Sequence, residues 1–287
     1  MAVDHLHENA WWYLTGRPDL WKPFHRVCLS GTESDYLPCG NTLTFNPLGK
    51  VARTGYTALD GPHDTPAEIR KAYGLPDRYL LVGTAVRAST IPKVLWKAYF
   101  RNRLVGRILS GYNGPSYVQV LRVLKGYAQA TGLALVGKGR WKHEDHWAHR
   151  LFDYYFDDEP TDPGRALRLM QGATAYAGGI SGLAVEALAA RVPTLNWAYY
   201  PPLLADHAGF QQLRQELWID GIWQAPGVGQ LFQIQQPDGW REMRRYLDLY
   251  GITGHFHPGA EAVALQQRVV GPVDGSASAR VLEACGL

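Results

Sequence analysis

ATAYAGGISGLAVEALAARVPTLNW, running from Ala173 to Trp197, decides how the chain folds. Its first residues make a short apolar strand that breaks at Gly178-Gly179. A helix is expected from Ser181, with Glu186 early in it, and Pro193 opens a second strand ending at Trp197. Strand, glycine break, helix and strand together are the unit of a parallel sheet, whose neighbouring strands need a crossover between them. Glycine between strand and helix lets a ligand approach the backbone, and the unpaired N–H groups at a helix start favour anions. Glu186 is placed to accept hydrogen bonds from sugar hydroxyls. The expectation is a nucleotide-type ligand lying across the end of the sheet.

The same alternation continues upstream. RYLLVGT (Arg78–Thr84) reads as a buried strand, LALVGKG (Leu133–Gly139) as a second ending in glycines, and YYFDD (Tyr154–Asp158) as a short third; ATAYAGG and PTLNW follow as fourth and fifth. Helices are expected over Pro92–Leu109 and Pro115–Ala130, and from Asp162-Pro163 through Met170. Thr65-Pro66-Ala67-Glu68 is a capping box with Pro at the first helical position, and Gly74 ends that helix. Strands alternating with helices give an α/β fold with a doubly wound parallel sheet, which binds ligands at the carboxyl ends of its strands. Gly83–Arg87, Gly137–Gly139 and Gly178–Ser181 each follow a strand, so they converge on one edge. Before this region the pattern is mixed: a helix near Glu8–Leu14, a strand over His25–Gly31, an irregular stretch containing KVARTGYTALD (Lys50–Asp60), and a linker at Gly61–Asp64. The division expected is a partial N-terminal region over 1–75, a Rossmann-like domain over 76–245 and a helical tail over 246–287.

Of the 287 residues 46% are hydrophobic and 19% charged, which is enough apolar surface for a core and excludes a disordered tail. A net charge of +3 is too weak to imply nucleic acid. Cys28, Cys39 and Cys285 are odd in number and lack metal spacing, so a reduced, cytoplasmic setting is expected. Lys93, Lys97, Arg101, Arg103 and Arg107 run without acids among Leu95, Trp96, Tyr99 and Phe100. Such a helix is either packed on a core with a basic outer face, or touches a membrane surface or polyanion through 93–107. His143, Glu144, His146 and His149 admit a metal reading, but no HExxH is present and a solvated segment beside the second glycine loop is the better one.

Residues 78–200 resemble the C-terminal, donor-binding domain of GT-B glycosyltransferases. The ordered series LLVGTAVR, LALVGKG, YYFDDEP and ALRLMQGATAYAGGISGLAVEALAARVPTLN carries the likeness. VDGSASARVLEACGL (Val273–Leu287) looks like the terminal helix of CDP-glycerol glycerophosphotransferase-like and surface-polysaccharide enzymes, and KVARTGYTALD like the segment joining two GT-B domains. The resemblance implies that Gly83, Arg87, Gly137, Lys138, Gly139, Gly178, Gly179, Ser181 and Glu186 bind the donor, with Arg87 and Lys138 on the phosphates and Glu186 on ribose or sugar. It implies a nucleotide-sugar donor as substrate, no cofactor and no metal for chemistry, and a glycan or lipid-linked acceptor. The acceptor proton needs a base, for which His5, His7 and Glu8 are the candidates, the alternative being an ordinary polar N-terminus. A two-domain enzyme of this kind takes roughly 350 residues or more, so a partner chain supplying the acceptor half is also expected. CDP-glycerol-type phosphotransfer, a nucleotide-sugar 2-epimerase and a non-catalytic donor-binding subunit stand as alternatives. The epimerase usually has an acid before the glycines, where this chain has Ala177.

Overall fold

The computed structural model describes residues 2–3, 25–29, 51–60, 64–83, 118–139, 148–157, 159, 161–162, 164–179, 183–198, 229–233, 239–254, 256–257 and 259–287. The helices expected at Glu8–Leu14 and Pro92–Leu109 lie outside them. A small parallel sheet comprises β1 (Ala2–Val3), β2 (Val27–Leu29) and β3 (Val51–Arg53), in that order. A larger one comprises β4 (Tyr79–Gly83), β5 (Ala134–Lys138), β6 (Tyr154–Phe156), β7 (Ala175–Gly179), β8 (Thr194–Ala198) and β9 (Gly229–Gln233). All its pairings are parallel and its order is β6-β5-β4-β7-β8-β9. The chain builds outward from β4 to one side, returns, and builds outward from β7 to the other. The direction reverses between β4 and β7, where a doubly wound sheet opens a crevice at its carboxyl end.

Strands of such a sheet are covered on both faces, so they read as apolar runs rather than alternations. All five residues of β4 are buried. Its even and odd positions serve two different cores. Leu81, Val136 and Tyr176 pack with α3 (Arg165–Gly172), α4 (Leu183–Ala189) and α6 (Ala260–Val269). Leu80, Val82, Leu135, Ala175 and Ala177 pack with α2, helical over 118–131, and with α5 (Gly239–Tyr250). Ahead of β4, α1 (Pro66–Ala72) begins at the expected capping box: the Thr65 hydroxyl accepts from Glu68 N, and Thr65 N donates to the Glu68 carboxylate at 2.7 Å. Gly74, at φ +63°, ends the helix.

Among the described residues, several elements differ from the sequence reading or exceed it. Val51–Arg53, expected to be irregular, is a strand, because its three residues pair in parallel with Val27–Leu29 of β2. The sixth strand β9 and the helix α5 were not read from the sequence, although Trp240, Met243 and Leu247 repeat at helical spacing and the last two are buried.

The final helix, α7 (Ala277–Cys285), grips the segment between the sheets. Its own N-cap residue, Ser276, makes no side-chain cap bond. Asp60 caps it instead: Ala277 N donates to the Asp60 carboxylate at 3.0 Å, and Ser278 N donates to its other oxygen. Arg280 donates from Nε to the Thr54 carbonyl at 2.8 Å and holds Asp274 with both terminal nitrogens. Gly55 lies beneath it at φ +89°, where an added Cβ would sit 2.9 Å from Arg280 Nη2. Partial burial pushes the Asp60 carboxyl up, but the Ser278 and Ala277 hydrogen bonds and Arg280 outweigh it and hold the group below its ordinary value. A depressed carboxyl contributes stability above its unfolded pKa of about 3.9 and loses it as pH falls through the lower folded value. Asp60→Asn is therefore expected to cost about 1 kcal/mol at pH 7. In thermal unfolding from pH 7 to pH 2.5 the gap to the wild type should close below about pH 4; a gap unchanged by pH would contradict this account of the cap.

Candidate functional site

Register sets the site. Gly83 pairs with Lys138 on one side and Gly178 on the other, and Gly178 pairs with Asn196. Lys138, Gly83, Gly178 and Asn196 thus form one row across the carboxyl end of the sheet. Paired residues of a parallel sheet point to the same face, here the face covered by α4. The reversal between β4 and β7 falls between the two glycines. The expected convergence of glycine-bearing segments is realised for Gly83, Gly137, Lys138, Gly139, Gly178 and Gly179. Arg87 and Ser181 lie outside the described residues, as do His5, His7, Glu8, the 93–107 run, His143, Glu144 and His146.

The glycines have a packing reason that the sequence reading did not supply. Tyr176, fully buried and two residues before Gly178, lies along the sheet on the same face. A Cβ at Gly83 would meet the Tyr176 hydroxyl at 2.7 Å, and one at Gly178 would overlap the same ring. Tyr155 does the same on the opposite face. A Cβ at Gly137 would lie 2.6 Å from its ring, and one at Gly139 would collide with its hydroxyl and with the Asp157 carboxylate. These four glycines make room for tyrosine side chains at the carboxyl edge, so the space they clear is filled from within the protein. Tyr176 and Tyr155 are the residues that sequence reasoning missed. The signal was present in the two-residue spacing of Tyr176 and Gly178.

Polar groups surround this edge. Lys138 is only 3% exposed, and its ammonium donates to the Gly139 carbonyl at 2.6 Å. It therefore ties down the loop after β5 and is no ordinary surface charge. Asn196 is fully buried and donates to the Thr194 hydroxyl at 3.2 Å. Glu186 sits in the first turn of α4, with its Oε2 buried. Tyr56, from the segment between the sheets, packs against the cluster that contains α4. Burial pushes its phenol far above the ordinary value, and the nearby Glu186 carboxylate pushes the same way. A residue following the carboxyl end of β3 is thereby brought within electrostatic reach of one following the carboxyl end of β7. His149 stacks on Tyr155 with ring centroids 3.7 Å apart, beside the second glycine loop.

After β6, Asp162 anchors the chain before α3. Arg165 donates to it at 3.1 Å, Arg168 pairs with its other oxygen, and the Tyr73 hydroxyl donates to it at 2.7 Å. Arg165 also donates to the Asp157 carbonyl at 3.1 Å, fixing the backbone beside Gly139 and Tyr155.

An all-parallel sheet reversing at its centre, with glycines, a buried lysine and an acid-bearing helix at the carboxyl edge, defines an α/β protein of GT-B-like fold. The chain superposes on solved structures of the wall teichoic acid polymerase TagF. One TagF variant matches at a TM-score of 0.54 and 12% identity, over 99% of this chain and 63% of that one. Another TagF structure matches at 0.54 and 11%, over 95% and 59%, and one soaked with CDPG at 0.53 and 11%, over 95% and 60%. The chain thus spans less than two thirds of the TagF structures, and identities this low concern the fold alone. No family model matches the chain, and no curated protein does.

The glycine packing is checked by a double substitution. Gly83→Ala is expected to lower stability by about 1–3 kcal/mol in denaturant unfolding. Most of that loss should return in Gly83→Ala/Tyr176→Phe, where the hydroxyl at 2.7 Å is gone. Additive losses in the pair would mean that Tyr176 does not hold this space.

Proposed function

We propose that the chain is a transferase that seats a nucleotide-diphosphate-linked donor at the carboxyl edge of the six-stranded sheet. The observation that carries this reading is the row Lys138–Gly83–Gly178–Asn196 at the reversal point, with Glu186 on the helix that follows. The reversal point is where a doubly wound sheet accepts nucleotides. Lys138 provides a cation in a setting of low dielectric, where its attraction for a diphosphate is stronger than in water. Gly179, at the end of β7, allows close backbone approach, with Arg87 and Ser181 as further donor contacts, and Glu186 accepts from ribose or sugar hydroxyls. In glycosyl transfer the acceptor hydroxyl oxygen bonds to the anomeric carbon. The bond from that carbon to the diphosphate oxygen breaks, and the nucleoside diphosphate leaves. The acceptor proton passes to a base, for which His5, His7 and Glu8 remain the candidates. Cationic and hydrogen-bonding groups around the diphosphate stabilise the charge that develops on it. The acceptor is a glycan or a lipid-linked chain. The basic run 93–107 would hold the protein at a cytoplasmic membrane face, and no described helix is long and apolar enough to cross a membrane.

A second reading is favoured by one observation, the superposition on TagF, including its CDPG-soaked form. In CDP-glycerol-type transfer the acceptor oxygen would bond to the glycerol-bearing phosphorus and CMP would leave. The same edge would hold the donor, so the nucleotide preference separates the two readings.

Binding of UDP-, GDP-, CDP- and dTDP-linked sugars and of CDP-glycerol to the wild type and to Glu186→Ala tests the proposal by thermal shift. One nucleotide class should raise the melting temperature by mass action. Its apparent Kd should weaken at least tenfold in Glu186→Ala, equivalent to about 1.4 kcal/mol. A wild type stabilised by none of these ligands would overturn the donor-binding reading, and a preference for CDP-glycerol would select phosphotransfer.

A further inference from the structure

A groove of about 300 Å³ separates α2 from α5, on the face of the large sheet opposite α4. Trp240, Arg244 and Asp248 follow at four-residue steps along α5, so they share one side of that helix and form one wall. Arg122 and Gly126 stand in the same relation on α2, with Tyr127 beside them, and form the other wall. From these facing stripes we propose that the groove is a second binding site of the protein, for a phosphorylated sugar.

Gly126 stands inside α2, where glycine destabilises a helix relative to an ordinary residue. Nothing lies within 4 Å of the place its Cβ would take. Gly74, Gly132, Gly275 and Gly286 have equally empty surroundings, but each has a positive φ that suits glycine. Gly126 has neither a positive φ nor a neighbour to avoid. What its missing side chain does is widen the groove. The groove is also fixed at one end, because the Tyr127 hydroxyl accepts from Ile252 N at 2.9 Å and fastens the end of α5 to α2.

The charges on the walls are open to a ligand. Arg122 is exposed and takes part in none of the ion pairs among the described residues. Arg244 reaches Asp248 only at 3.8 Å, with the two side chains 70% and 66% exposed, and so weak a surface pair yields to a better partner. Arg241 lies over Trp240, 5.2 Å from its ring centroid, and adds a third cation beside the groove. Guanidinium groups bind phosphate through paired N–H donors. The Trp240 and Tyr127 rings offer apolar surface to a sugar ring, and the Asp248 carboxylate accepts from its hydroxyls. A neutral sugar would leave Arg122 without a partner, and a bare phosphate would leave the aromatic walls and Asp248 unused. A phosphorylated hexose uses all of them.

None of these residues is among those proposed for the donor, so the two sites can be tested apart. The full-length chain is titrated by calorimetry with glucose 6-phosphate, with glucose and with inorganic phosphate. Glucose 6-phosphate should bind about tenfold more tightly than either of the others, and less tightly as salt is added. Arg122→Ala, at an exposed position, should weaken it about tenfold. Gly126→Leu should abolish binding while raising the melting temperature, because leucine is the better helix former, so the loss is not one of folding. Glu186→Ala should bind the probe as the wild type does. A wild type that binds no glucose 6-phosphate, inorganic phosphate bound as tightly as the sugar phosphate, binding that survives Gly126→Leu, or binding lost in Glu186→Ala would each overturn the proposal.

Discussion

The ring of Tyr176 lies where two side chains are absent, and the carboxyl edge of the large sheet depends on that. Gly83 and Gly178 are paired neighbours on the two strands that flank the reversal. With any larger residue at either place the ring would have to leave, because the sheet register allows no sideways escape. The ring in turn covers the sheet under α4, so the helix bearing Glu186 rests on the same packing. Tyr155 stabilises the loop after β5 from the other face in the same way. The glycines that mark the edge in sequence are thus first a condition for two aromatic residues, and only through them a condition for the site.

Burial on both faces of the sheet leaves few places for polar groups. Buried polar side chains persist where they have partners. Among the described residues those of the large sheet are Lys138, Thr194 and Asn196, all on the α4 face. Gln266 is a further buried polar residue whose role is structural. Its amide donates to the carbonyls of Leu188 and Ala189 and satisfies the C-terminal end of α4. Both ends of α4 are therefore constrained, one by packing on Tyr176 and the other by Gln266. A carboxylate one turn into such a helix has little freedom to move away from the edge.

What the sequence disclosed and what it withheld divide along chain separation. The capping box at Thr65 and Glu68, the glycine stop at Gly74, and the strands ending at Gly83, Lys138 and Gly179 involve neighbours only a few residues apart, and all were legible. The meeting of three glycine-bearing segments at one edge followed from the doubly wound rule. The row Lys138–Gly83–Gly178–Asn196 did not, because register between parallel strands is not set by a connecting turn. For the same reason no local pattern announces that tyrosine side chains pack against Gly83, Gly137 and Gly139. β9 was missed because GQLFQ is flanked by glutamines and offers no sustained apolar run. The cap from Asp60 to α7 spans 217 positions, and no local pattern announces it.

That cap has a consequence for how the molecule opens. Nine residues are too few to stay helical in water on their own, since nucleation is costly and isolated helices shorter than about a dozen residues are marginal. α7 keeps its shape because Asp60 satisfies its first amides and Arg280 anchors it to Thr54. When the 54–60 segment lifts, the helix loses its cap and anchor together, and when the helix frays the segment loses its restraint. The two therefore protect each other's amides from solvent exchange and open as one cooperative unit. Tyr56 belongs to the same segment and packs against the cluster under α4, so the short terminal helix and the larger sheet share a boundary there.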